Sequence, residues 1–215
     1  MRLHFIAIGG SAMHSLALAM HQLGHQVTGS DDAIFDPSKT KLEKAGLLPE
    51  SMGWYPEKLS KEIDVVILGM HAKSDNPELI TAQSLNLKIQ SYPEFLATMC
   101  QEKSTVVIAG SHGKTTITAM ILHVLNYHEV AADFMVGAPV PAVSETLSLS
   151  DDNDFILLEG DEYLSSAIDP QPKFLWYQPE IALISGIAWD HVNVFPTFED
   201  YVAQFEKFIF SMVEG

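Results

Sequence analysis

A strand-like run, Val106-Val107-Ile108-Ala109, leads straight into Gly110-Ser111-His112-Gly113-Lys114-Thr115-Thr116. Two glycines allow a loop to wrap an anion so that consecutive N–H groups point inward. Lys114 offers a point charge to β- and γ-phosphates, and the Thr115 hydroxyl, in the first turn of a helix, is placed to ligate Mg²⁺. The loop is shorter than the general G-x-x-x-x-G-K-[ST] pattern, because Ile108 stands where its first glycine would be. Downstream, a buried strand over 155–158 ends in Glu159-Gly160-Asp161-Glu162, and another over 181–184 precedes Asp190-His191. Carboxylates at the end of a strand beside such a loop can hold a nucleotide's metal directly or through water. His191 can offer a neutral imidazole nitrogen, which hard Mg²⁺ accepts less readily than oxygen. Alone it reads as a structural histidine; beside Glu159 and Thr115 a metal role is the better reading.

A second glycine turn lies near the start. His4-Phe5-Ile6-Ala7-Ile8 runs through Gly9-Gly10 into Ser11-Ala12-Met13, and the next strand ends at Gly29-Ser30-Asp31. Glycines here let a ligand approach the backbone, and an acid at the end of the second strand can accept from a ribose hydroxyl or a base N–H. The full G-x-G-x-x-G fingerprint is absent, since Ser11 and Met13 occupy later glycine positions. The plainer reading is a tight turn between strand and helix. His14, His21 and His25 read as helix-surface or packing residues.

These residues need a scaffold that presents strand ends. Strands are expected at 3–8, 26–28, 64–68, 87–90, 105–109, 134–136, 155–158 and 181–184, with helices at 12–23, 37–45, 77–85, 93–100, 115–127 and 198–212. Runs such as Val65-Val66-Ile67-Leu68 are apolar at successive positions, as strands covered on both faces must be. The alternation predicts an α/β fold with parallel sheets and crossover helices. The rhythm restarts at Gln101-Glu102-Lys103, so the expected domains are 1–102, Rossmann-like, and 103–215, part of a P-loop-type ATPase domain. The polar stretch 144–154 reads as an exposed loop or helix end.

Composition narrows the partners. The 215 residues carry 12 basic and 28 acidic side chains, a formal charge of −16, with 47% hydrophobic residues. Apolar content this high argues against intrinsic disorder, and so large an acidic excess argues against nucleic acid and anionic membranes as partners. A local loop can still hold a phosphate. One cysteine, Cys100, rules out an internal disulfide framework and reads as a buried filler. No signal-peptide pattern opens the chain and no apolar run is long enough to span a bilayer, so a cytoplasmic protein is expected.

Taken in order, Gly110-Ser111-His112-Gly113-Lys114-Thr115-Thr116, Glu159-Gly160-Asp161-Glu162 and Asp190-His191 resemble the motifs of the Mur ligase family, ATP-dependent amide-forming enzymes of peptidoglycan assembly. The opening glycine turn and Gly29-Ser30-Asp31 look like that family's UDP-sugar domain, so the resemblance covers essentially the whole chain. It implies that the lactyl carboxylate of UDP-N-acetylmuramate attacks the γ-phosphate of ATP, and that an amine then displaces phosphate from the acyl phosphate. Lys114, Glu159 and His191 would be catalytic, with residues 110–116 binding ATP. Thr115 and Glu159 would serve the Mg²⁺ that bridges the phosphates, and His191 a second ion. Gly9, Gly10, Ser11, Ser30 and Asp31 would line the UDP site, together with His71 and Asn76. Glu162-Tyr163 and Ser11-Ala12-Met13 fit the branch that uses a murein peptide as the amine, with the L-alanine-adding branch as runner-up. Three departures stand out. Gln204-Phe205-Glu206 occupies the neighbourhood of a lysine that several members carbamylate. Ser185-Gly186 replaces the Thr-Asn usual before Asp-His. Members also continue well past the position of Gly215, which implies an N-terminal fragment with little or no turnover of its own. Two readings from other classes remain: a dinucleotide-dependent dehydrogenase, resting on Gly9-Gly10 and Asp31, and a non-catalytic nucleotide-sensing module.

Overall fold

The computed structural model describes residues 1–141 and 143–213; Ala142, Glu214 and Gly215 lie outside them. In chain order the elements are β1 (Arg2–Ile6), α1 (Ser11–Gln22), β2 (Gln26–Ser30), α2 (Ser38–Lys44), β3 (Val65–Leu68), α3 (Pro77–Ser84), β4 (Ile89–Ser91) and α4 (Tyr92–Met99). There follow β5 (Ser104–Ala109), α5 (Lys114–Tyr127), β6 (Asp133–Met135), β7 (Leu147–Ser148) and β8 (Phe155–Glu159). β9 (Leu164–Ser166), β10 (Asp169–Pro172), β11 (Ile181–Ile184) and α6 (Phe198–Phe210) complete the chain. Contacts divide it into two compact units, Met1–Phe95 with Ser165–Pro170, and Leu96–Leu164 with Gln171–Gly215. This is the α/β fold with parallel strands that the apolar runs require.

In the first unit the sheet order is β2-β1-β3-β4, every pair parallel. β2 and β3 flank β1 on opposite sides, so the end of β1 is a switch point, where a crevice opens outside the strand ends. β1 is shorter than the expected 3–8 because Ala7 takes φ +68, which turns the chain out of the sheet. Val66, Leu68, Leu79 and Ala82 pack with Ile6 in the core beneath. Inside that unit His4, fully buried on β1, binds Thr28 through Nδ1 and Glu78 through Nε2.

In the second unit the order is β11-β5-β8-β6-β7, with β7 alone antiparallel. β7 falls in the stretch expected to be an exposed loop or helix end. Lys103 ties that stretch down, donating to the carbonyls of Ser150 and Asn153 and pairing with Asp133. β11 pairs with β5 and its residues alternate between exposed and half-buried, unlike the fully buried β3. Phe174 stacks on Phe208 at 4.6 Å and meets Phe205 edge-on at 5.4 Å, which seats α6. The β9–β10 pair has no counterpart among the expected strands. Cys100 is buried, and burial pushes its thiol up to about 12, consistent with inert packing. No helix among the described residues is long and apolar enough to cross a membrane.

Candidate active site

The β5–α5–β6 crossover leaves room for β8 to lie directly against β5, with Ile108 opposite Glu159. Strand order therefore brings the end of β8 beside the loop that follows β5. Gly110 takes φ +118, and a Cβ there would come within 2.4 Å of Ser185 Oγ. Gly113, at φ +81, caps α5, so that helix starts at Lys114 with its free N–H groups and positive dipole end at the loop. Ser111 N–H donates to the Gly186 carbonyl at 3.0 Å, and the Ser185 hydroxyl, with one hydrogen to donate, lies within hydrogen-bond reach of the carbonyls of both Ala109 and His112. The Ser185-Gly186 pair thus braces the loop from behind.

Within this frame Lys114 Nζ donates to the Gly110 carbonyl at 2.7 Å and to Glu162 Oε2 at 2.9 Å. Thr115 Oγ1 donates to Glu159 Oε1 at 2.8 Å, and Gly137 N–H donates to the other oxygen at 2.8 Å. A hydroxyl and a carboxylate converging at a helix N-terminus beside a lysine form the hard-oxygen set that Mg²⁺ prefers. The donor chemistry therefore fits the metal and triphosphate that the sequence implies. His191, at φ +54, sets Nε2 3.5 Å from Glu162 Oε1 and packs edge-on to Tyr163 at 5.0 Å. Asp161, Glu162 and His191 each present a ligand atom within 4.8 Å of the others, a second place where a cation could sit. Burial pushes the Asp161 carboxyl up, but Lys173 at 2.6 Å, together with the Tyr163 N–H and the Lys114 charge, holds the group below the usual carboxylate range.

The sequence groups Glu162 with the carboxylates that can hold a metal, but it does not point to a contact with Lys114 or to Tyr201. Glu162 is fully buried and joins Lys114, Tyr201 and His191. Its place in the acidic run was a usable signal; nothing in the sequence marked Tyr201. A cavity of about 580 Å³ adjoins Thr115 and Thr116, walled by Met120, Val124 and Val140.

In the first unit a cavity of about 420 Å³ is lined by Gly9, Gly10, Ser11, Asp31 and His71, with the exposed Phe35 at its edge. Asp31 accepts from Gly9 N–H at 2.7 Å and from Ala33 N–H at 3.4 Å, so it orders the glycine turn. Burial raises its carboxyl above the ordinary range, against those two bonds, and Asp32 adds to the rise. Ser30 and Asn76 are not among the lining residues. Ser30 is buried, its carbonyl accepting from Ala7 and Ile8 N–H groups. Asn76 caps α3, accepting from Glu78 and Leu79 N–H groups at 2.9 and 3.2 Å.

Comparison with known proteins agrees over both units. Residues 2–104 match a family model described as Mur ligase family, catalytic domain, and residues 108–215 match the Mur ligase middle domain. The UDP-N-acetylmuramate–L-alanyl-γ-D-glutamyl-meso-2,6-diaminoheptandioate ligase of Escherichia coli K12 is 31% identical over 210 residues, covering 97% of this chain and 46% of that protein. The UDP-N-acetylmuramate–L-alanine ligase of Lactobacillus acidophilus is 34% identical over 205 residues, covering 94% and 43%. The chain thus spans a little under half the length of these curated relatives. A crystal structure of the diaminopimelate-type ligase from Neisseria meningitides superposes with a TM-score of 0.89 at 27% identity, covering 99% of this chain and 68% of that one. With both family models matched in sequence order, the chain belongs to the Mur ligase family.

Proposed function

We propose that this chain is part of an ATP-dependent carboxylate–amine ligase that joins UDP-N-acetylmuramate to a murein peptide in peptidoglycan assembly or recycling. Residues 1–102 would hold the sugar nucleotide and residues 103–215 the ATP phosphates. The observation that carries this reading is the convergence of Lys114, Thr115 and Glu159 on one loop and helix N-terminus. The reaction needs two anions, a carboxylate and a triphosphate, to meet, so cationic charge at the phosphates decides the rate. Lys114 and the loop N–H groups would bind the phosphates, with Thr115 and Glu159 as ligands to Mg²⁺ and His191, beside Glu162, near a second ion. Bound there, Mg²⁺ would neutralise phosphate charge. The sugar's carboxylate oxygen would bond to the γ-phosphorus as the bond to ADP breaks. The amine would then attack the acyl carbon, expelling phosphate and losing a proton. A reaction of this kind belongs in the cytoplasm, where ATP is held.

The murein-peptide branch is favoured by Glu162-Tyr163, with Tyr163 packed on His191 and its hydroxyl accepting from Asn193 at 3.0 Å. L-alanine addition is the second reading, because an L-alanine ligase is 34% identical over 205 residues against 31% over 210 for the murein-peptide type. Calorimetric titration of the chain with MgATP and with UDP-N-acetylmuramate tests both sites; binding to each is expected, and Lys114→Ala should remove the first. Phosphate release by the full-length gene product with murein tripeptide against L-alanine then separates the branches. Absence of both binding events in folded protein would defeat the proposal.

A further inference from the structure

Tyr201 lies on α6 with its ring fully buried, tilted against Phe195 at 5.5 Å and edge-on to Phe205 at 5.2 Å. Phenylalanine would satisfy that packing, so the hydroxyl calls for its own account. Its oxygen is 2.8 Å from Ser111 Oγ and 2.9 Å from Glu162 Oε1. The direction of the chain follows from donor inventory. Ala188 N–H donates to Ser111 Oγ at 2.9 Å, leaving the Ser111 hydrogen for Tyr201. The Tyr201 hydrogen then goes to Glu162, which as a carboxylate only accepts. On its other oxygen Glu162 accepts from Lys114.

Glu162 is fully buried, with Tyr201 donating to Oε1 and Lys114 to Oε2, and a buried carboxylate left with no donor is costly. One of those donors is Lys114, the group whose charge a triphosphate would claim. When Lys114 turns to phosphate, Oε2 loses that donor, and the Tyr201 hydroxyl on Oε1 remains to hold the carboxylate in place. We propose that Tyr201 is a positioning residue, whose hydroxyl anchors Glu162 so that Lys114 can be released to the phosphates at low cost. The link to Ser111 also ties α6 to the loop itself. This inference rests on the nucleotide reading of the loop given above.

Calorimetric titration of the 215-residue chain with MgATP tests it in a mutant cycle. Tyr201→Phe deletes one oxygen and keeps the ring; it should weaken MgATP by about tenfold, as loss of a bond to a charged group does. In a Glu162→Gln background the same change should cost less than about twofold, because Tyr201 acts through that carboxylate. Wild-type affinity in Tyr201→Phe, or an equal penalty in both backgrounds, would overturn the proposal. Should Tyr201→Phe fail to fold, Ser111→Ala is read in its place, with the same required coupling to Glu162. Lys114→Ala is the control for the underlying reading. Wild-type chain that binds no MgATP defeats that reading, whereas binding lost in Lys114→Ala and unchanged in Tyr201→Phe defeats the Tyr201 role alone.

Discussion

The Thr115 hydroxyl and the Glu159 carboxylate meet at 2.8 Å across 44 positions of sequence. Neither strand nor helix alone explains this. It follows from β8 inserting beside β5, so that the last residue of one strand faces the first turn of the helix after the other. Removing the charge at Glu159 should therefore leave the loop standing while weakening its hold on a cation. Glu159→Gln retains acceptor and donor capacity for Thr115 and Gly137, and it should lower the apparent Mg²⁺ affinity in the presence of ATP by on the order of tenfold. A calorimetric Mg²⁺ titration at fixed ATP reads this directly. An unchanged Mg²⁺ dependence would remove Glu159 from the ligand set.

Gly110 makes a stability prediction that needs no ligand. Its φ of +118 and the 2.4 Å approach of a Cβ to Ser185 Oγ leave no room for alanine, and the backbone atoms of Ser185 and Gly186 stand at 2.9 Å behind. Gly110→Ala should cost roughly 1–3 kcal/mol in urea unfolding from backbone strain, with additional loss from the displaced brace. MgATP binding should fall with it. Wild-type stability would mean that the loop relaxes freely.

The legible part of the structure was the part written in contiguous residues. Gly110 to Thr116 carries its own turn, charge and hydroxyl, and the apolar runs at 65–68 and 106–109 announce buried parallel strands. Glu159 was legible because a buried strand ends on it. The Tyr201 contacts were not, because they bridge 39 positions to Glu162 and 90 to Ser111 and depend on how α6 is seated by its phenylalanines. β10 was missed for a different reason. Asp169-Pro170-Gln171-Pro172 has no apolar alternation, and proline argues against a strand unless the strand lies at an edge. Ala7 shortened β1 through a positive φ that no propensity scale assigns to alanine.

The first unit should show a distinct acid response. Burial pushes the Glu78 carboxyl up, but hydrogen bonds from His4 and Tyr55 N–H prevail and hold it below its ordinary value. A lowered native value means that unfolded chain takes up the proton first, so the stabilising contribution is full above the ordinary glutamate range of about 4.3. It declines as pH falls from there and is gone below the native value. Glu78→Gln should thus destabilise the protein at pH 7 and much less at pH 3. Urea midpoints measured across that range test the sign; an equal loss at both ends would show that the charge is not involved.

Asn76 separates a structural role from a binding one. Its carbonyl oxygen accepts from the Glu78 and Leu79 N–H groups, the first two that α3 has because it opens on Pro77, and the side chain is buried outside the lining of the glycine-turn cavity. Asn76→Ala should cost about 1 kcal/mol as a lost N-cap, whereas Asn76→Asp, an equally good cap, should cost far less. Affinity for UDP-N-acetylmuramate should stay within about twofold in Asn76→Asp, while Asp31→Asn, which disturbs the acceptor that orders Gly9, should weaken it more strongly. A sugar nucleotide that tolerates Asp31→Asn but not Asn76→Asp would instead place the ligand against the start of α3.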